Sequence, residues 1–201
     1  MLTGACCMKC GKPLQKEMRD AEYCPDCERR EHVFDRAFPV FDYRSVAPSV
    51  YRFKYAGRRE YAEYYADCFV RRYGGVPRGI RIDALIPVPL HPAKQRKRGY
   101  NQAEVLARAL SARLDTPVIS GLVSRVKPTR PQKELDYYGR LNNLKNAFII
   151  GRNDVECNSV ALVDDIFTTG STADNIAALL KKHGVRNVYV FTPAIATNLV
   201  S

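Results

Sequence analysis

The sequence predicts an α/β fold, a parallel sheet flanked by helices, with a small four-cysteine zinc module at its N-terminus. Three observations carry this reading. Apolar strand signals alternate with amphipathic helical stretches through the second half of the chain, the rhythm of βαβ units. Two Cys-x-x-Cys pairs stand close together near the start. A length of 201 residues leaves room for one core of ordinary size and a small satellite.

The first segment, residues 1–35, holds Cys7-Met8-Lys9-Cys10 and Cys24-Pro25-Asp26-Cys27. A two-residue spacer brings both sulfurs of a pair to one side of a tight turn, and two such turns supply the four soft ligands of a tetrahedral Zn2+ site. The segment has almost no apolar run, so without metal it could not bury a core of its own. Reduced thiols or a redox pair are the alternatives; the paired spacing favours zinc. A four-thiolate site has no open position, so the expected role is structural. Cys6 adjoins the first pair with poorer spacing. Cys68 and Cys157 read as small apolar fillers.

Residues 36–78 read as a linking strand and an aromatic-basic helix. Pro39 and Pro48 suggest a short strand and a turn, and from Ser49 to about Tyr73 the pattern is helical. Tyr51, Arg52, Phe53, Lys54, Tyr55, Arg58, Arg59, Tyr61, Tyr64 and Tyr65 interleave rings and cations. Such interleaving can stack bases and neutralise phosphates of a single strand; more often it is an amphipathic helix with half-buried tyrosines, and that reading leads.

Residues 79–201 carry the α/β pattern. Asp83 to Pro89 is a strand that stops at its prolines, and His91 to Tyr100 is a basic loop. Asn101 caps a helix, with Glu104 completing a capping box. Ala103, Leu106, Leu110 and Leu114 supply the buried stripe, and Thr116 to Ile119 returns as a strand. Residues 125–146 are polar, basic and interrupted by Pro128, Pro131 and Gly139. A loop of that length in a compact domain suits a mobile active-site cover.

Val160-Ala161-Leu162-Val163 is a buried strand, followed by Asp164-Asp165-Ile166-Phe167 and then Thr168-Thr169-Gly170-Ser171-Thr172. A helix follows, with Ala173, Ile176, Ala177 and Leu180 on one face and Gly184 as its stop; Val188 to Phe191 resumes the sheet. The hydroxyl-rich turn thus lies at a helix N-terminus, where backbone N–H groups and the dipole favour a phosphate. Two acids ahead of a phosphate site make sense if they accept hydrogen bonds from a sugar diol. A 5-phosphorylated ribose satisfies both ends. The bland alternative is a capped turn with surface acids.

These residues resemble the 5-phosphoribosyl 1-diphosphate (PRPP) signature of type I phosphoribosyltransferases: four apolar positions, two acids, two spacers, then Thr-Thr-Gly. Leu85 to Pro92, Arg98-Gly99-Tyr100-Asn101-Gln102-Ala103-Glu104, and Arg125, Thr129, Gln132, Leu135, Arg140, Asn143 and Ala147-Phe148 are similar to the ComF family. That family includes the ComFC proteins of DNA uptake and also carries an N-terminal four-cysteine zinc module.

The resemblance covers nearly the whole chain and implies a type I phosphoribosyltransferase-like domain. It implies that Asp164 and Asp165 contact the ribose hydroxyls. Thr168, Thr169, Gly170, Ser171 and Thr172 would hold the 5-phosphate, and Val88, Pro89, Leu90 and His91 the pyrophosphate. Residues 125–140 would form the flexible cover, and Mg2+ would arrive with PRPP on ligand oxygens. After Phe191 the chain lacks the arginine often found in relatives.

The formal net charge of +11, from 32 Lys and Arg against 21 Asp and Glu, favours polyanionic partners. Lys94, Arg96, Lys97 and Arg98, beside Tyr100, are the candidate contacts to single-stranded DNA. A ComFA-type helicase is the partner the resemblance suggests. An active phosphoribosyltransferase acting on an unidentified acceptor is the other reading, and a ligand-gated adaptor a third. No segment approaches the roughly 20 apolar residues of a membrane span, and no charged start with an apolar run marks a secretory signal. A cytoplasmic protein without membrane insertion is expected.

Overall fold

The computed structural model of the chain describes residues 1–18, 20–77, 79–126, 147–151 and 156–197. Its centre is a parallel sheet in the order β1-β7-β5-β2, with a two-residue strand, β6, also paired to β7. The strands are β1 (Arg36–Asp42), β2 (Ala84–Pro87), β5 (Ser159–Val163), β6 (Ile166–Phe167) and β7 (Asn187–Ile195). A separate antiparallel pair is formed by β3 (Val123–Arg125) and β4 (Phe148–Ile150).

Alternation along the strands explains how one sheet serves two cores. Leu85, Ala161, Val163 and Phe191 face one side, where they meet α2 (Tyr43–Tyr55), α3 (Tyr61–Tyr73) and α5 (Gln102–Leu114). Ile86, Val160, Leu162 and Val190 face the other, where they meet α6 (Ser171–Lys182) and the N-terminal segment. A strand buried on both faces reads as a continuous apolar run, as Val160 to Val163 does.

The expected linker is an integral part of this sheet. β1 pairs in parallel with β7 from Arg36 to Asp42, and Pro39 is accommodated because β1 is an edge strand. The helix expected from Ser49 begins at Tyr43, where the Asp42 side chain accepts from the Arg44 N–H at 2.8 Å. Pro48 lies inside α2 and does not break it. The stretch is two helices, not one, separated by residues 56–60.

Three further expectations change. His91 to Tyr100 is not a loop: Pro92–Arg98 forms a short helix, α4, which Pro92 opens and Gly99 closes. Residues 116–119 contribute only an isolated bridge between Val118 and Leu85. Asn101 does cap α5, accepting from the Ala103 N–H at 3.1 Å. Glu104, however, pairs with Arg108 at 2.8 Å and accepts from Ser120, which holds it on the outer face of the helix. Of the expected cover loop, only Arg125 and Val126 lie within the described residues. Among the described residues, no helix is long and apolar enough to cross a membrane.

The N-terminal segment, which carries the one-turn helix α1 (Pro25–Glu28), is stapled to the sheet. The Leu2 N–H donates to Val40 O and the Ala37 N–H to Lys9 O, each at 2.8 Å. A Cβ on Gly11 would lie 2.3 Å from Pro39 Cδ, so only glycine lets this turn sit against β1. Leu2, Cys7, Cys10, Cys24 and Phe34 belong to the same core as Leu162 and Ile176.

Candidate functional site

Parallel strands end together, and β2 and β5 are paired from Ala84 opposite Val160 to Pro87 opposite Val163. Their carboxyl ends therefore deliver Val88-Pro89-Leu90 and Asp164-Asp165 to one edge of the sheet. A cleft of about 430 Å³ opens there, the usual ligand position in open α/β sheets. Asp164, Asp165, Thr168, Gly170 and Thr172 line it on one side, and Val88, Pro89 and Leu90 on another.

The hydroxyl-rich turn is built by Gly170, in the left-handed region at φ +80°, as the residue preceding α6. It has no side chain of its own to place over the start of the helix, where the Ser171 N–H donates to Thr169 Oγ1 at 3.5 Å, and Thr172 and Ala173 present that first turn to the cleft. Thr169 and Ser171 are turned toward one another, their hydroxyls 3.1 Å apart, and Ser171 is buried.

The two acids differ. Asp164 lies at the cleft floor, where its Oδ1 accepts from the Asp165 N–H at 2.8 Å. Desolvation, reinforced by the Asp165 carboxylate, pushes its carboxyl up to about 7. Asp165 is ion-paired with Lys54 Nζ at 2.9 Å. Lys94, Arg98 and Arg125 also line the cleft. Burial and then the charges of Arg125, Arg98 and Lys54 hold the Lys94 ammonium below its usual range. Four cations thus face two carboxylates, a balance suited to an anionic ligand that also offers hydroxyls.

The basic set divides. Lys94 and Arg98 join the cleft, while Arg96 and Lys97 are exposed on α4. Tyr100, expected beside a nucleic-acid strand, is buried: its hydroxyl donates to Phe53 O and Arg59 covers its ring at 4.6 Å. It is a packing residue, because the apolar side of α2 and α5 closes around it. His91 is half-buried, and its Nδ1 caps α4 by accepting from the Ala93 N–H at 3.3 Å.

Sequence reasoning missed Lys54, Tyr55, Asn101 and Gln102 as cleft residues. Lys54 and Tyr55 fell inside a helix read as amphipathic. The end of α2 meets Asp165 only through the tertiary fold, which no local spacing encodes. A buried pair was also missed: His32 Nδ1 lies 2.8 Å from Asp174 Oδ2, and the Val33 N–H donates to Asp174 Oδ1 at 2.7 Å. A Cβ on Gly170 would sit 2.9 Å from the His32 ring. The segment after the cysteines is thereby tied to the turn at Gly170 and the first turn of α6.

Cys7, Cys10, Cys24 and Cys27 are brought together, with all four sulfurs within 4.8 Å of one another. The Cys10 and Cys24 sulfurs are 3.6 Å apart, close to the ~3.8 Å edge of a tetrahedron with metal–sulfur bonds near 2.3 Å. The set could hold a metal ion, and its all-sulfur chemistry fits zinc. Cys6 stands outside the cluster, its thiol donating to Gly4 O at 3.6 Å. Cys68 is buried in the α2–α3–α5 core, and Cys157 packs partly buried against the other.

No family model matches the chain. Over 196 residues it is 36% identical to competence protein F of Haemophilus influenzae, an alignment spanning 92% of this chain and 82% of that protein. It is 31% identical over 189 residues to DNA utilization protein YhgH of Escherichia coli K12, spanning 92% and 82%. It is 27% identical over 199 residues to competence protein ComFC of Bacillus subtilis, spanning 95% and 78%. Among solved structures, a purine phosphoribosyltransferase from Pyrococcus horikoshii overlaps with a TM-score of 0.38 at 17% identity, over 71% of this chain and 76% of that one.

Proposed function

Because the chain belongs to the ComF family of competence proteins, we propose that it serves DNA uptake in the cytoplasm, binding PRPP in the cleft and handling single-stranded DNA on the adjoining basic surface. The observation that carries the ligand reading is that the two acids and the hydroxyl-rich turn line one cleft side by side. Asp164 and Asp165 border the space where a ribose diol would donate to them, and the first turn of α6 faces the same space.

Val88 to Leu90, with Lys94, Arg98 and Arg125 nearby, would receive the diphosphate. Mg2+ would accompany it on phosphate and ribose oxygens, and the protein need supply no dedicated metal cage. Zinc on Cys7, Cys10, Cys24 and Cys27 would be structural, since four thiolates close its coordination. A ComFA-type helicase is the partner expected to hand on the strand.

Phosphoribosyl transfer is the second reading, favoured by the four cations around the departing diphosphate. In that reaction the C1–O bond to pyrophosphate breaks, a bond from C1 to the acceptor forms, and fixed charge stabilises the leaving group.

The test is a single-stranded DNA titration followed by fluorescence anisotropy across a salt series, paired with a pyrophosphate-release assay. Affinity should fall steeply with salt and collapse when Lys94, Arg96, Lys97 and Arg98 are made neutral. No binding at low salt, together with pyrophosphate release, would replace the DNA role by the enzyme.

A further inference from the structure

Two tyrosines on α2 are left on the surface. Tyr51 is 64% exposed and Tyr55 62%. They stand one helical turn apart with ring centroids at 5.0 Å and planes inclined by 45°. Arg98 Cζ lies 4.8 Å from the Tyr55 centroid, and its Nη1 donates to Gln102 Oε1 at 2.6 Å. A single exposed aromatic is ordinary. Here two rings touch each other, one carries a guanidinium fixed by a buried glutamine, and Tyr55 and Arg98 both form the cleft wall.

The charged side chains that α2 and α4 place beside the rings are all cationic. Arg52 and Lys54 flank them on α2. Across from Tyr55, α4 carries Lys94, Arg96, Lys97 and Arg98 without an acidic residue. Lys54 is already matched by Asp165, and Lys94 and Arg98 border the cleft, so of these cations Arg52, Arg96 and Lys97 are left pointing outward. A protein partner would need a correspondingly acidic face. A single nucleic-acid strand supplies both needs at once, bases with π-faces for the rings and a phosphate at each step for the cations.

We propose that Tyr51 and Tyr55 form a base-stacking platform for single-stranded DNA, with Arg98 bracing Tyr55 and the α4 cations holding the backbone. This rests on the DNA-handling reading and assigns it residues. The platform ends at the cleft wall, so a strand lying on it runs toward the ribose-phosphate site. It also replaces Tyr100, whose ring is buried, as the aromatic contact.

The experiment measures anisotropy of a fluorescent oligonucleotide on the full chain, comparing wild type, Tyr51→Ala with Tyr55→Ala, and Tyr51→Phe with Tyr55→Phe. Both side chains are exposed, so the variants should fold; an unchanged thermal unfolding curve checks this. The alanine pair should bind at least about thirtyfold more weakly, from the loss of stacking on two rings, with its salt slope kept. The phenylalanine pair should bind like wild type. An abasic oligonucleotide of the same length should bind wild type and the alanine pair alike. Wild-type affinity in the alanine pair would overturn the platform while leaving DNA binding intact, and would leave a protein-docking role for the rings. Absence of DNA binding by the wild type at low salt would overturn both.

Discussion

Replacing Asp164 by Asn should make the protein more stable while abolishing the PRPP binding proposed for the cleft. The Asp164 carboxyl is raised from an ordinary value of 3.8 to about 7, by desolvation first and by Asp165 second. The native state therefore holds a proton that the unfolded chain releases between about pH 4 and 7, so stability is greatest in acid and is lost as pH rises through 7. A shift of roughly three units corresponds to a ceiling of about 4 kcal/mol at neutral pH, nearly all of it expressed by pH 7. Asparagine keeps the oxygen that accepts from the Asp165 N–H and removes the charge. Thermal unfolding of both proteins across this range should show the variant ahead at neutral pH. The gap should widen by about 2 kcal/mol between about pH 5 and 7.5. A variant no more stable than wild type at about pH 7.5, or a gap that does not change with pH, would refute the electrostatic reasoning.

Other perturbations reach the site from a distance. Asp174→Ala removes the partner of His32 and the acceptor of the Val33 N–H, leaving buried groups unsatisfied at about 2–4 kcal/mol. The melting temperature should fall by roughly 5–10 °C and ligand affinity with it, because His32 packs on Gly170; an unchanged melting curve would show the pair to be incidental. Cys24→Ser with Cys27→Ser should release bound zinc and loosen residues 1–35, read by metal content and limited proteolysis. Full zinc retention would mean that other ligands hold it.

The parallel sheet and the four-cysteine cluster were legible because their signals are local. Val160 to Val163 is apolar on both faces, and a Cys-x-x-Cys turn carries its own geometry. The α4 helix was not legible, because its Pro92 and Gly99 punctuation also describes a loop and none of its residues is buried. The break between α2 and α3 was masked by aromatics that continue through it.

That the two acids and the hydroxyl-rich turn line one cleft was legible because they are contiguous in sequence. Lys54 could not, since its pairing with Asp165 depends on how α2 crosses the carboxyl end of the sheet. The same holds for His32 and Asp174, which meet only when the N-terminal segment docks on α6. Tyr51 and Tyr55 were visible as residues, but only burial separates them from Tyr65, which hydrogen-bonds Ser49 in the core.

The most direct test of the cleft is calorimetric titration of PRPP with Mg2+ into the zinc-loaded wild type and into the Asp164→Asn, Asp165→Asn double variant. Saturable binding by the wild type and none by the folded double variant is the expected result. Equal affinity in the two proteins, or no heat from the wild type, would contradict the assignment of this cleft to a phosphoribosyl ligand.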